Sequence, residues 1–340
     1  MSSYEILKEI KQVVDKSRSF LITGQDKPDG DSIGAQLALY KILSVAKSDG
    51  RGILDTSVII DIVNDELPPP RYQFLPHFYA VKPLEKVREQ RYEVGFILDA
   101  GRDRIGEVLP LLEKCDSTIN IDHHKSRLPG NETIPWIEPH AAATAEMVFE
   151  FIDHPDWKIP LTLDIAECIY AGIIFDTGSF KYSLTSPKTH RIAARLLETG
   201  IDASKISERV LLSKSYAAVK LMAAVLSGVK RDPRGAILWG VITEKMLQET
   251  GAQPSDEEGI ISQYCFTDGV EVSVLFKEMG GNKTKVSFRS RGHLDVGAFA
   301  KTLHPTGGGH ERAAGCTLDG TLKEVQQRVL KALERILYNS

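Results

Sequence analysis

Apolar and polar positions along this chain switch repeatedly between helical spacing and short, continuous apolar runs. Residues 4–16 place Ile6, Leu7, Ile10, Val13 and Val14 on one helical stripe. Residues 19–23 are an apolar run of strand length. Residues 24–34 then combine a proline, glycines, Asp26, Asp29 and Asp31, a composition that ends the strand in a loop. Helical spacing resumes with Ile33, Leu37, Leu39, Tyr40 and Leu43. Further strands are expected at 56–63, at 94–98 just before Asp99, and at 115–121 just before Asp122. A stiff proline connector lies at 67–71 and a helix is expected over 101–114. Strand followed by helix, repeated, predicts a mostly parallel sheet with helices on both faces.

Beyond residue 124 the spacing turns helical, at 142–152, 163–175, 186–197 and 203–211. A long apolar helix over 216–229 is expected to bridge two domains. From residue 231 the pattern returns to strands (236–242, 270–276, 283–289). Helices are expected near 256–264, 296–303 and 322–337, and a glycine loop at 306–310. The expected architecture is therefore an α/β chain. A parallel-sheet domain over 1–212 is joined by a linker helix at 213–230 to a smaller α/β domain over 231–340. There is no internal repeat and no low-complexity segment.

Composition narrows the class. The chain has 340 residues, 42% of them apolar, with a net charge of -4. This suits two globular domains and gives no global basic field for long nucleic acid. Four scattered cysteines form no C-x-x-C pair, which reads as small buried residues in a reducing compartment. No apolar run reaches membrane-spanning length, and the first residues read as a charged helix rather than a signal peptide. The expected setting is cytoplasmic, without a membrane partner.

Candidate chemistry lies at the strand ends. Asp29 and Asp31, Asp99, Asp176, and the run Asp122-His123-His124 each follow an apolar segment. In a parallel sheet the C-terminal strand ends share one crevice. Several carboxylates there repel one another unless cations compensate them. Carboxylates with one or two imidazoles suit Mn²⁺ or Mg²⁺ better than a structural zinc. Taken singly, each has an ordinary reading: Asp29-Gly30-Asp31 as a turn and helix cap, Asp99 as a strand end, Asp176 as a turn cap, the histidines as backbone-satisfied. Their recurrence at successive strand or helix ends favours the metal reading.

A second candidate is the run Gly307-Gly308-Gly309-His310 with Ala313-Ala314-Gly315. Glycines let backbone N–H groups approach an anion closely, and His310 adds a donor. Between 283 and 312 there are six Lys or Arg against two acids, a local positive patch on an acidic chain. A flexible turn beside a solvated face is the plain alternative.

Together these motifs resemble the DHH/DHHA1 phosphoesterases, nearest the nano-RNase and pAp-phosphatase (NrnA-like) subgroup, over nearly the whole chain. Lys27-Pro28-Asp29-Gly30-Asp31-Ser32-Ile33-Gly34 is similar to the family's first motif, Ile97-Leu98-Asp99 to its second, Ile121-Asp122-His123-His124 to its third and Gly172 through Gly178 to its fourth. The glycine-histidine run is similar to the DHHA1 signature, and it speaks against the family II pyrophosphatases. The resemblance implies two Mn²⁺ ions, or Mg²⁺ or Co²⁺, on Asp29, Asp31, Asp99, His123 and Asp176, with Asp99 bridging. It implies that His124 faces the scissile phosphate or assists the leaving group, with Asp122 orienting the imidazoles. It also implies that Arg289, Ser290, Gly308, Gly309 and His310 hold the substrate's terminal phosphate or base, and that the protein is a homodimer. One position departs from the pattern. The family's usual His, four residues before the first Asp, is Gln25 here, a weaker ligand, so one metal site is expected to be weakened or altered in selectivity.

The expected activity is metal-dependent hydrolysis of very short oligoribonucleotides or of 3′-phosphoadenosine 5′-phosphate (pAp), with no long nucleic acid as partner. Three rivals share the motifs: a RecJ-like single-strand DNA exonuclease, a linear or cyclic dinucleotide phosphodiesterase, and a nucleotide-binding protein impaired in catalysis by Gln25.

Overall fold

The computed structural model describes residues 2–48, 55–88, 90–124 and 130–338. It divides into two compact units, residues 1–213 and 214–340.

The first unit begins with α1 (Ser3–Lys16) and β1 (Ser19–Thr23), then α2 (Gly30–Ala46), β2 (Ile59–Asn64), β3 (Val81–Pro83), β4 (Val94–Leu98), the short α3 (Leu109–Leu112), β5 (Ser117–Asp122) and β6 (Ile134–Ile137). Helices α4 (Thr144–Asp153), α5 (Leu163–Asp176), α6 (Pro187–Glu198) and α7 (Ala203–Ser207) follow. The six strands form one parallel sheet in the order β3-β2-β1-β4-β5-β6. All five residues of β4 are buried, as a strand covered on both faces requires. Strand order reverses between β1 and β4, so their C-terminal ends border the crevice where such sheets bind ligands.

Helices α2 and α5 are apolar nearly all round, the mark of helices buried between layers. Two glycines let them approach. A Cβ on Gly34 would stand 2.6 Å from the Cys168 carbonyl oxygen. One on Gly172 would stand 2.5 Å from the Ala145 Cβ and 2.8 Å from Asp31 Oδ1. These contacts seat α5 against α2 and α4, and with it Asp176 at the end of α5.

Several expected elements differ. Residues 101–114 are not one helix but two 3₁₀ turns, Arg102–Arg104 and Gly106–Val108, followed by α3. Gly106 lies at φ +56, and a Cβ there would meet the Asp65 carboxylate at 2.2 Å, so the chain bends where a helix would continue. Strand β2 begins at Ile59 rather than 56. Strands β3 and β6 escape the pattern because they are short edge strands carrying prolines, Pro83 and Pro135.

The second unit contains α8 (Tyr216–Ser227), β7 (Lys230–Arg231), β8 (Ile237–Ile242), α9 (Glu244–Thr250), α10 (Ile260–Tyr264), β9 (Val272–Glu278), β10 (Lys283–Ser290), α11 (Val296–Leu303), β11 (Gly308–His310), β12 (Ala313–Asp319) and α12 (Leu322–Tyr338). Its sheet runs β11-β12-β10-β9-β8-β7, antiparallel except for β8 beside β9. Helix α8 buries Leu221 and Val225 in this unit's core with Ile242, Ile260 and Tyr264. The expected helix over 256–264 is a 3₁₀ turn (Pro254–Glu257) and α10, split at Gly259 with φ +80. The glycine run is no loop: Gly308–His310 pairs with Ala313–Gly315 as a hairpin turning on Glu311 and Arg312. Among the described residues no single helix is long and apolar enough to cross a membrane.

Because Gly172 leaves no room for a methyl group, Gly172→Ala is expected to destabilise the protein by about 1–3 kcal/mol through overpacking. Urea denaturation of the variant beside the parent protein measures this. An unchanged midpoint would mean that the two helices are not held in close contact there.

Candidate metal centre at the sheet switch point

The loop after β1 carries Gln25, Asp29 and Asp31. Gly24 opens it, and no larger residue fits: a Cβ would lie 2.3 Å from Gln36 Nε2 and 2.4 Å from Ser32 Oγ. A buried polar chain braces this turn. Asn64 Oδ1 accepts from the Gly24 N–H (3.1 Å), Asn64 Nδ2 donates to Gln36 Oε1 (2.9 Å), and Gln36 Nε2 donates to Ser32 Oγ (3.0 Å). Asp29 caps α2, its Oδ1 accepting from the N–H groups of Asp31 and Ser32 at 3.1 Å each. The capping role is therefore real and coexists with a second carboxylate oxygen, Oδ2, 3.5 Å from Gln25 Nε2.

Asp31 is fully buried. Its two oxygens accept from the backbone N–H groups of Thr144 (2.6 Å) and Ala145 (2.9 Å). These are the first N–H groups of α4, whose N-cap, Ala143, offers no side-chain acceptor. A carboxylate from another helix thus fills the anion site that every helix N-terminus presents. Asp99 follows β4 at φ +57, a left-handed conformation that aspartate tolerates better than most residues. Its Oδ1 accepts from Thr144 Oγ1 (3.3 Å), and its Oδ2 accepts from Gln25 Nε2 (2.6 Å).

His123 and His124 leave the end of β5. His123 Nδ1 lies 3.2 Å from the Ala141 carbonyl oxygen, an acceptor only, so Nδ1 carries the hydrogen. Its Nε2 then faces Asp176 Oδ2 (2.9 Å), Asp99 Oδ1 (3.6 Å) and Asp31 Oδ2 (3.9 Å). His124 Nδ1 lies 2.6 Å from Asp122 Oδ1, which also accepts from the His124 N–H at 3.1 Å. Asp122, the last residue of β5, is fully buried and orients His124. Lys125, next in the chain, is outside the described residues.

Donor atoms of Asp31, His123 and Asp176 lie within 4.8 Å of one another, as do those of Asp99, Asp122 and His124. Carboxylate oxygens with one neutral imidazole form a hard donor set that fits Mn²⁺ or Mg²⁺. The electrostatics agree. Burial and the nearby Asp176 charge push the Asp31 carboxyl up to about 8, even though His123 and the Ala145 N–H favour its charged form. Burial and the charges of Asp31, Asp29 and Asp176 raise Asp99 as well. Burial disfavours a charged His123, but its hydrogen bond to the Asp176 carboxylate and the charges of Asp176, Asp31 and Asp99 outweigh it and raise its pKa. The cluster holds protons where cations would otherwise balance its charge.

In the second unit, Arg289, Ala313 and His310 share one register row across β10, β12 and β11. Cross-strand partners point to the same face, so Arg289 and His310 flank the small Ala313 on the less buried face. Ser290 alternates to the opposite face with buried Phe288 and Val286, and its hydroxyl is buried with no hydrogen-bond partner among the described residues. Gly309, at φ +136, has no space for a Cβ, which would meet the Ala313 carbonyl oxygen at 2.4 Å. The positive patch is smaller than its composition: Lys285 pairs with Glu257 at 2.6 Å.

Sequence reasoning missed Thr144, Ala145 and Arg104. Ala145 acts through its backbone N–H, which leaves no residue-type signal, and Thr144 through its N–H and its hydroxyl, from a helix start with no acidic or imidazole motif. Arg104 Nη2 donates to Gln25 Oε1 at 3.2 Å, from a turn that reads as helix in the sequence.

Fold and centre define a two-unit α/β protein whose carboxylate–imidazole cluster at the sheet switch point could hold a divalent metal. Residues 19–173 match the DHH family, N-terminal domain, and residues 240–339 match the DHHA1 domain. The chain is 31% identical over 339 residues to the bifunctional oligoribonuclease and PAP phosphatase NrnA of Thermus thermophilus, covering 98% of this chain and 93% of that one. It is 26% identical to the NrnA of Bacillus subtilis, over 86% of this chain and 87% of that one. A crystal structure of an exopolyphosphatase-related protein from Bacteroides fragilis shares the fold, with TM-score 0.87 at 24% identity over 98% of this chain and 97% of that one. The chain belongs to the DHH/DHHA1 family of phosphoesterases, in its NrnA group.

The raised pKa values give a sign. A group that binds protons more tightly folded than unfolded stabilises the fold at low pH and loses that effect as pH rises through its folded pKa. For Asp31 the window runs from about 4, the unfolded aspartate value, to about 8, and Asp99 and His123 act in the same direction. With chelator present, Tm is expected to fall as pH rises from 6 to about 8. Added Mn²⁺ should raise Tm more at pH 8 than at pH 6, because fewer protons must leave. Differential scanning fluorimetry checks both, and Asp31→Asn should flatten both dependences.

Proposed function

We propose that this chain is a metal-dependent phosphohydrolase that degrades very short oligoribonucleotides and removes a phosphate from pAp. The observation that carries the reading is the convergence of Asp31, Asp99, His123 and Asp176 on one point at the sheet switch. The near full-length match to a protein named for both activities supports it.

Divalent metal, with Mn²⁺ the first candidate and Mg²⁺ or Co²⁺ next, would be held by Asp31, Asp99, His123 and Asp176, with Asp29 beside Asp99. Metal there supplies positive charge to the phosphoryl oxygens and acidifies the attacking water. The protein's own groups do the rest. Asp122 fixes the His124 ring through Nδ1, so Nε2 is the atom that passes a proton to the leaving oxygen. Arg289 and His310, on one face of the second sheet, bind the substrate's terminal phosphate. A terminal-phosphate reader suits short substrates, and the net charge of -4 disfavours long strands. We assign the protein to the cytoplasm on its nucleotide substrates, and a homodimer is the oligomeric state to test.

A panel from dinucleotide to long strand, with pAp and cyclic dinucleotides, assayed with Mn²⁺, tests the assignment. Turnover should be fastest on dinucleotides to short oligoribonucleotides and on pAp. Preference for long single strands, with steep loss in salt, would overturn it. His124→Ala should lower kcat by about 10²–10⁴ through loss of proton transfer. Arg289→Ala should raise KM about tenfold or more with kcat little changed, through loss of a charge-assisted hydrogen bond.

A further inference from the structure

Asp99 points its two oxygens in two directions. Oδ1 faces His123, Thr144 and His124, while Oδ2 faces Gln25. The carboxylate therefore divides the centre into two halves, one with Asp31, His123 and Asp176, the other with Asp29 and Gln25. The second half is occupied by protein. Gln25 is buried, with Nε2 2.6 Å from Asp99 Oδ2 and 3.5 Å from Asp29 Oδ2. Its Oε1 accepts from Arg104 Nη2 at 3.2 Å.

The orientation of this amide is forced by its partners. A guanidinium has donors only, so Oε1 must face Arg104, and this turns the NH₂ toward the aspartates. The turn that carries Arg104 is tied to the Gln25 loop by the backbone, the Asp26 N–H donating to the Arg104 carbonyl oxygen at 2.6 Å. A glutamine ligates a hard cation through its oxygen, and here that oxygen is turned away and engaged.

We propose that Arg104 locks the Gln25 amide as a built-in substitute for a second cation. The chain then holds one divalent ion tightly at Asp31, Asp99, His123 and Asp176, and admits another beside Asp29 only when the Arg104–Gln25 bond opens. Gln25 is thus not merely a weak oxygen ligand, because Arg104 decides which end of the amide the centre meets. The inference rests on the divalent-metal reading of this site.

The test is Mn²⁺ binding to the full chain, followed by calorimetry and by low-temperature EPR, which separates an isolated Mn²⁺ from a spin-coupled pair. The parent protein should take up one equivalent tightly, with an isolated signal, and a second about 10–100-fold more weakly, the range typical when the surroundings of a ligand are altered. Arg104→Ala frees the amide to rotate, and Gln25→His supplies an imidazole. Each should tighten the second equivalent by about tenfold or more and bring in the coupled signal. Arg104 is exposed, so its truncation leaves the core intact. Two equally tight ions in the parent protein would overturn the proposal, and so would an Arg104→Ala protein whose second equivalent is no tighter. Absence of tight Mn²⁺ from all three proteins would overturn the metal-centre reading itself.

Discussion

Burial of several carboxylates at the carboxyl ends of one parallel sheet is the constraint on which the rest of the first unit depends. Like charges this close, taken out of water, cannot all stay ionised without compensation. The fold supplies compensation of three kinds. The N-terminus of α4 gives Asp31 two backbone N–H groups. His123 turns Nε2 toward three aspartates because its other nitrogen is held by a carbonyl. Gln25 donates its amide to Asp99, backed by a guanidinium. What remains uncompensated appears as raised pKa values, and it is the charge that a bound divalent cation would neutralise.

Positioning these groups depends on close approach of backbones more than on side-chain fit. Gly24, Gly34 and Gly172 each lie where a methyl group would strike a neighbour, and the groups they spare belong to the site or support it: Ser32 and Gln36 beneath the loop, the Cys168 carbonyl between α2 and α5, Asp31 itself. Asp99 is turned sideways by a left-handed backbone, which is how one strand end serves two halves of a centre. Comparable economy operates in the second unit, where the register of three strands sets Arg289 and His310 on one face with the small Ala313 between them.

Much of this was legible in the sequence. Apolar strand-length runs, two ending at an acid and one leading into an acidic loop, located β4, β5 and β1 and the residues Asp99, Asp122, Asp29 and Asp31, because chain order in a parallel sheet fixes which strand ends share an edge. His123 follows by the same logic, whereas Asp176 ends a helix, α5, and reaches the site through the packing of α5 on α2. The elements that escaped are those whose conformation opposes local pattern: the broken segment at Gly106, the proline-bearing edge strands β3 and β6, and the glycine run that forms β11 by pairing with β12. Ser290, adjacent to Arg289 in the sequence, lies on the opposite face of its strand, since side chains alternate with a period of two.

The sequence by itself determined the class of fold, the donor types and the departure at Gln25, because residue identity sets donor hardness and periodicity sets element type. Only the tertiary structure decided what each donor does. Which oxygen of Asp99 meets which partner, which nitrogen of His123 is left to bind, and which end of the Gln25 amide enters the site depend on Thr144, Ala141 and Arg104. These residues are separated in the chain from the groups they direct by between 18 and 79 positions. Contacts of that separation follow from packing, through a backbone carbonyl, a threonine hydroxyl and a surface arginine whose identities carry no local signal of their role.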